Sequence, residues 1–279
     1  MRVRAIAPQR DGRRFRYSIE TRHDDVRAGR ARDHRGSAAI DASTPSAQGG
    51  SRVERDPTLS FAQTVRRRRS VRAFLERQVP KDVIRQVLED AQLAPSNCNT
   101  QPWSVHVVSG SKRHALSAAL VAAATRGDYS SDFSFKVQDY GAPYDERQQA
   151  QSKAYLEALA IEREDAEGRR RASMRNYRFF DAPHVILLSM PSVGDNVRVA
   201  ADIGMYAQTL LLSLAARGLG GVAQTSLGMF ATVIRQELSI PEELRLLFGI
   251  SFGYPDPSAP TNGLQMKREP VSQSVTWYG

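Results

Sequence analysis

LAPSNCNTQPWSVHVVSG, residues 93 to 110, is the stretch from which the rest of the chain can be read. Before it lies a helical pattern from Val79 to Ala94, with Val83, Ile84, Val87, Leu88 and Ala91 on one face. Pro80 suits the first helical position, and Pro95 ends the helix. After it comes a short apolar strand, Val105 to Val108. Between the two, Ser96, Asn97, Asn99, Thr100 and Gln101 offer hydrogen-bond donors and acceptors together. That set suits a planar heterocycle rimmed by carbonyls and ring nitrogens better than a metal or an acyl substrate. The same amides could instead satisfy only their own loop, and this stretch alone leaves both readings open.

Downstream, Ser111 is expected to cap a helix running to about Ala124. Residues 126 to 180 are the least periodic part of the body and include a charged helix around Ser152 to Met174. They read as an inserted lid or a subunit-embracing excursion, with an ordinary surface helix as the alternative. RNYRFFDAPHVILLSM, residues 175 to 190, delivers a central strand at Val185 to Met190. Val199 to Arg217 is a long helix expected to be buried by Ile203, Met205, Tyr206, Leu210, Leu211, Leu212 and Leu214, with Gly218 at its end. GLGGVAQTSLG follows, its short strand ending at Thr225 and Ser226. A helix from Thr232 to Leu238 and a strand from Leu246 to Phe252 precede GYPDP. The tail after Asn262 carries Lys267 and Arg268 and then an extended, aromatic-ended strand, expected to be an arm on a partner chain.

Upstream, Leu59 to Arg68 reads as a helix with Phe61, Ala62 and Val65 on its apolar side. It runs into the consecutive arginines Arg66 to Arg69, then Ser70 and Arg72. Like charges so close call for anions, so a phosphate-facing role fits one or two, and a solvated helix end fits the rest. Ser70 and Arg72 share one side if the segment is extended. Residues 1 to 57 form an arginine-rich extension with too few apolar groups to bury, expected to be disordered or loosely attached. A short strand at Phe15 to Ile19 is the alternative there.

The chain has 279 residues, 41% of them hydrophobic, which supports a substantial core. Its net charge of +9 suggests nucleic acid, but residues 1 to 55 contribute 13 arginines against 7 acids, so most of the excess lies outside the body. No helix-turn-helix or zinc-finger spacing accompanies it. No run approaches the roughly 20 apolar residues of a membrane span, and no secretory signal is evident, so a cytoplasmic location without membrane contact is the expectation. The single cysteine, Cys98, excludes an intrachain disulfide and reads as a small packed side chain. HExxH, GxSxG and P-loop spacings are missing, and the glycines near 220 follow a helix and precede a strand, which disfavours a dinucleotide-binding Rossmann site. A cofactor must therefore carry any reaction.

RRRSVRAF at 67 to 74, APSNCNTQPW at 94 to 103, GLGGVAQTSLG at 218 to 228 and GISFGYPDP at 249 to 257 resemble, in order and spacing, the FMN-dependent nitroreductase family. RNYRFFDAPH and SFGYPDP resemble its nitroaromatic-reducing branch. The likeness covers about residues 59 to 279. It implies an α+β fold, a mixed β-sheet surrounded by helices, in an intertwined homodimer with FMN at the interface. On that resemblance Arg68 reaches the phosphate or the pyrimidine edge, with Arg69 and Ser70 in the same flavin-binding stretch. Arg72 favours negative charge at N1 and O2 of the reduced ring. Ser96 and Asn97 approach from the other subunit, Asn99 hydrogen-bonds the isoalloxazine, and Gln101 supports the loop or the ring. Thr225 and Ser226 bring backbone N–H groups to N5 and O4, and Lys267 with Arg268 clamp the phosphate. Many bacterial members carry an acidic residue and glycine where this chain has Thr225 and Ser226, so polarity facing the nicotinamide differs. NADPH or NADH is the implied electron donor and a small aromatic compound the acceptor. Quinone or enone reduction, reductive dehalogenation and oxidative flavin fragmentation are the enzymatic rivals. A flavin-binding or nucleic-acid-associated regulator is the non-enzymatic one.

Overall fold

The run HVILLSMP is apolar on both faces, and it becomes the strand with a neighbour on each side and layers above and below. In this computed structural model, which describes residues 59–134 and 136–279, β2 (His184–Pro191) is buried along nearly its whole length. It pairs antiparallel with β1 (Ser104–Ser109) and β4 (Leu244–Gly253), and β4 pairs antiparallel with β3 (Gly220–Gln224). The order is β1-β2-β4-β3. A parallel bridge between Ser70 and Gly221, beyond β3, makes the sheet mixed at that edge.

Alternation along β2 assigns the two cores. Val185 and Leu187 join Leu116, Leu120, Phe230 and Ile234, from α3 (Gly110–Arg126) and the segment around α8 (Ala231–Leu238). Ile186, Leu188 and Met190 join Val87, Ile203, Tyr206 and Leu210, from α2 (Lys81–Gln92) and α6 (Val197–Ala216). Gly249 is required between them, because a Cβ there would lie 2.5 Å from Leu227 Cδ1. Asp90 ties α2 to α6, accepting hydrogen bonds from Ser213 Oγ and Arg217 Nη1 at 2.7 Å each.

By length and composition α6 could cross a membrane over an 18-residue window. This corrects the expectation that no run approaches a span. Half of that window is buried, and Asp202 within it is only 3% exposed, so here the helix serves as a core element. Met205, expected inside, is 38% exposed.

Other boundaries shift for local reasons. Pro80 is the N-cap of α2, and Ser111 lies inside α3, whose cap is Ser109. The first helix, α1 (Phe61–Arg67), buries Thr64 while Phe61 is 77% exposed, so its apolar face points away from this chain's own core. The charged helix of the excursion is two helices, α4 (Tyr144–Ala158) and α5 (Ala166–Met174). Tyr177, Phe179 and Phe180, just beyond them, are core residues rather than lid. Thr225 and Ser226 open a helical turn, α7 (Thr225–Gly228), instead of ending a strand. The tail forms a 3-10 turn at Val271–Gln273 and no strand; an extended segment needs a partner strand to satisfy its backbone. Cys98 is exposed, not packed. The extension over 1–57, including Phe15 to Ile19, lies outside the described residues.

Candidate functional site

The arginine segment is built by alternation. Arg68 leaves α1 with its N–H still bonded to Thr64 O at 3.0 Å, and the chain then extends. Val71 turns inward, its N–H bonded to Gly221 O at 3.2 Å. The approach is so close that a Cβ on Gly220 would lie 2.5 Å from Val71 Cγ2. Ser70 and Arg72 consequently face the other way, as expected.

Asn262 fastens this segment. It accepts the Arg72 N–H on Oδ1 at 2.9 Å, donates to Ala73 O at 2.8 Å and Asp256 O at 2.9 Å, and takes Arg69 Nη1 on its carbonyl at 2.8 Å. The Arg72 guanidinium lies 5.5 Å from the Tyr155 ring centroid, with Nη1 3.5 Å from Ser70 O. Among the described residues no carboxylate pairs with it. Burial lowers its pKa, opposed by charge on Tyr155, and burial raises the Tyr155 pKa, opposed by Arg175 and Arg72. Arg175 completes the group, donating to Arg72 O at 2.8 Å and Tyr155 Oη at 3.5 Å.

The end of β3 joins the same neighbourhood through the next residue. Asn176 accepts Gln224 Nε2 on its backbone carbonyl at 2.9 Å and Ser226 Oγ on Oδ1 at 3.2 Å. Ser251 Oγ donates to Gln224 Oε1, so this buried glutamine is held from both sides. Thr225 stays exposed at the first position of α7, where a helical turn leaves amides without intrahelical partners.

The amide loop is a second, separate group. Cys98, Asn99 and Gln101 have φ of 50°, 56° and 47°, the left-handed region, around the turn Asn97–Asn99. Both carboxylate oxygens of Asp202 accept the Asn97 N–H, at 3.1 and 3.2 Å, and Ser96 Oγ accepts the Gln101 N–H at 2.9 Å. A relay runs from Trp103 Nε1 to Gln92 Oε1 at 3.0 Å, from Gln92 Nε2 to Gln101 Oε1 at 3.4 Å, and from Gln101 Nε2 to Asn99 O at 3.2 Å. The backbone is thus held while the Asn97, Asn99 and Thr100 side chains remain exposed.

Arg69, Ser70, Arg72 and Ser226 therefore share a neighbourhood, and Ser96, Asn97, Asn99 and Gln101 share another. Among the described residues no hydrogen bond or ion pair links the two. Lys267 and Arg268 are exposed and join neither; Arg268 Nη1 bonds Met266 O at 3.0 Å, while Glu269 pairs with Arg147 of α4 at 3.3 Å. Sequence reading missed Asn262, Asp202, Asn176 and Tyr155. The only signals were the turn dipeptide Asn262-Gly263 and an acid inside an apolar helix.

A guanidinium without a carboxylate partner among the described residues and, separately, a rim of exposed amides are each donor sets of the kind that a planar, anionic heterocycle such as FMN takes. Residues 65–254 match the nitroreductase family, and the chain belongs to it. The nitroreductase NfnB of Mycolicibacterium smegmatis is 39% identical over 223 residues, spanning 78% of this chain and 94% of that protein. A 4-nitrobenzoate reductase of Pseudomonas putida is 36% identical over 224 residues, spanning 79% and 96%. The crystal structure of the FMN-dependent nitroreductase NfnB from Mycobacterium smegmatis in complex with NADPH matches with a TM-score of 0.75 at 37% identity, covering 78% of this chain and 97% of that one.

Proposed function

We propose that this chain is an FMN-dependent oxidoreductase that passes electrons from NAD(P)H to nitroaromatic compounds, in the nitroaromatic-reducing branch of its family. The observation that carries the reading is Arg72, half-buried without a carboxylate partner among the described residues, beside the strand end that presents Thr225 and Ser226. FMN, when bound, supplies the two-electron chemistry between nicotinamide and acceptor. Arg72 would favour negative charge on the bound ring, because its partly buried guanidinium is screened less than in water. Arg68 would reach the phosphate or the pyrimidine edge, and Lys267 with Arg268 would clamp the phosphate. Asn99 and Gln101 bind or support the ring edge. No side chain acts as a nucleophile; orientation and electrostatics lower the barrier.

The site is shared in this reading. The loop carrying Ser96, Asn97, Asn99 and Gln101 completes the cradle that a second copy opens with its arginine segment. Support comes from large apolar side chains left uncovered: Phe61 at 77%, Leu93 at 83%, Val197 at 66% and Trp277 at 86% exposure. Residues 126 to 174 supply the channel wall, and a cytoplasmic location accompanies a pyridine nucleotide donor.

Purified protein that is yellow, bleaches anaerobically with NADPH and regains colour with nitrobenzene is the expected result. Colourless protein that cannot retain added FMN rejects the cofactor. Reoxidation by a quinone, an enone or a halophenol but not by nitrobenzene moves the enzyme to another reaction of the same fold.

A further inference from the structure

A cavity of about 740 Å³ opens between α3 and α5, away from the amide loop. Its floor is apolar: Val121, Leu159, Ile161, Ala172 and Met174. Its polar lining includes Arg170, Arg171, Arg175 and Arg178 against only two acids, Glu167 and Asp181. A second cavity of about 320 Å³ shares Val121, Arg178 and Asp181 with it and adds Arg113 and His114. The two therefore meet at Val121, Arg178 and Asp181.

The arginines differ in how far they are satisfied. Arg170 pairs with Glu167 at 3.0 Å, Arg171 lies 3.7 Å from Asp165, and Arg175 is committed to Arg72 O and Tyr155. The Arg178 side chain has no hydrogen-bond or ion-pair partner among the described residues. Arg113 donates to Arg178 O at 2.9 Å and lies over the Phe179 ring at 5.4 Å, but its Nε is buried with no partner. Burial lowers the Arg113 pKa, opposed by Asp181. A buried guanidinium N–H left unbonded is unfavourable, so Arg113 is an incompletely satisfied cation beside the unpartnered Arg178.

We infer that the joined cavities are a binding site for a small oxyanion carried on an apolar ring or chain. The oxyanion sits at Arg113 and Arg178, where the cavities meet, and the apolar body lies over Val121, Ala172 and Met174. Arg charges alone would attract any polyanion, but the apolar floor rewards a ligand with both parts, and the volume suits one of modest size. Arg175 forms one wall and also bonds the carbonyl of Arg72, so the site backs directly onto the arginine segment.

Calorimetric titration of the FMN-loaded full chain with 2-naphthoate tests this, with the flavin absorption recorded in parallel. Saturable binding that leaves the flavin bands unmoved is expected, and Arg178→Glu should weaken it at least tenfold. Arg178 is exposed, so that variant should fold; Arg113→Lys, which keeps the charge and loses the fork, should weaken binding about fivefold. Naphthalen-2-ylmethanol and inorganic phosphate, each holding half of the ligand's chemistry, should bind at least tenfold more weakly than 2-naphthoate. Equal binding of either, affinity unchanged in Arg178→Glu, no binding at all, or binding that only shifts the flavin bands overturns the assignment. Because the heat does not depend on flavin chemistry, protein that retained no FMN would sink the proposed function while this titration still read the cavity.

Discussion

The arginine segment and the amide loop carry the two halves of the proposed cradle, and they are prepared in opposite ways. Arg69, Ser70 and Arg72 are fixed by distant parts of the same chain: Asn262, Gly221 and Arg175. In the loop, Asp202, Ser96 and Gln92 hold the backbone and the Gln101 amide, and the Asn97 and Asn99 side chains stay exposed. One half is thus finished within a protomer. The other presents groups that still need something to meet, which is how a site divided between two chains should look before assembly.

The largest test removes the charge from the finished half. Arg72→Ala should retain FMN yet slow anaerobic flavin bleaching by NADPH about 10²- to 10³-fold, the usual effect of deleting a donor aimed at developing charge. Arg72→Lys should recover only part, since an ammonium lacks the planar fork. A stopped-flow rate in Arg72→Ala within threefold of the parent would break the contrast, leaving the segment merely structural.

Acid should destabilise the sheet beneath both halves through His184 of β2. His184 is 3% exposed; its Nε2 accepts the Val79 N–H at 3.0 Å, and so its Nδ1 carries the proton toward Ser109 Oγ at 2.6 Å. A second proton would place a donor against a donor. Burial, with Arg113 adding repulsion, lowers the pKa to about 4 from 6.5. The unfolded chain then binds more protons between these values, so stability is complete above about pH 6.5 and falls as pH drops toward 4. The full loss is about 3 kcal/mol. Urea unfolding at pH 7 and pH 4.5 should show it, and His184→Gln should flatten the slope; an unchanged slope would show that His184 is not its source.

A smaller effect is expected from unpinning the loop. Asp202→Ala leaves the Asn97 N–H without its charged acceptor, which should destabilise by about 2 kcal/mol and weaken FMN binding about tenfold. Asp202→Asn, still an acceptor, should lose less. Unchanged FMN affinity in Asp202→Ala would mean that the loop does not meet the flavin.

Much of the fold was legible because strand and helix periods are local. HVILLSM announced a central strand, and Ser70 and Arg72 were placed on one side by alternation alone. Thr225 and Ser226 were misassigned because a four-residue turn has no period to read. Asp202 and Asn262 were invisible for another reason: their partners Asn97 and Arg72 lie 105 and 190 positions away. The tail, expected as an arm on a partner chain, forms a 3-10 turn in the lone chain, where Val271, Val275 and Trp277 have no neighbouring strand to pair with. Recognising the four matching stretches named the cofactor; it did not reveal what holds Arg72 in place.

Cys98 gives the smallest and most diagnostic comparison, because hydrophobic character argued for burial and backbone geometry decided otherwise. At φ 50° its Cβ crowds the following carbonyl, a strain of about 1 kcal/mol that glycine does not feel. Glycine also enlarges the unfolded ensemble, which returns about 0.5 kcal/mol of that gain. Cys98→Gly should therefore raise the urea midpoint slightly, equivalent to about 0.5 kcal/mol, and leave turnover within twofold. The exposed thiol has only a 3.7 Å contact with Asn97 Oδ1, so no binding energy is lost with it. A tenfold fall in turnover with FMN still bound would make the thiol part of the site, and the loop would then contribute chemistry as well as position.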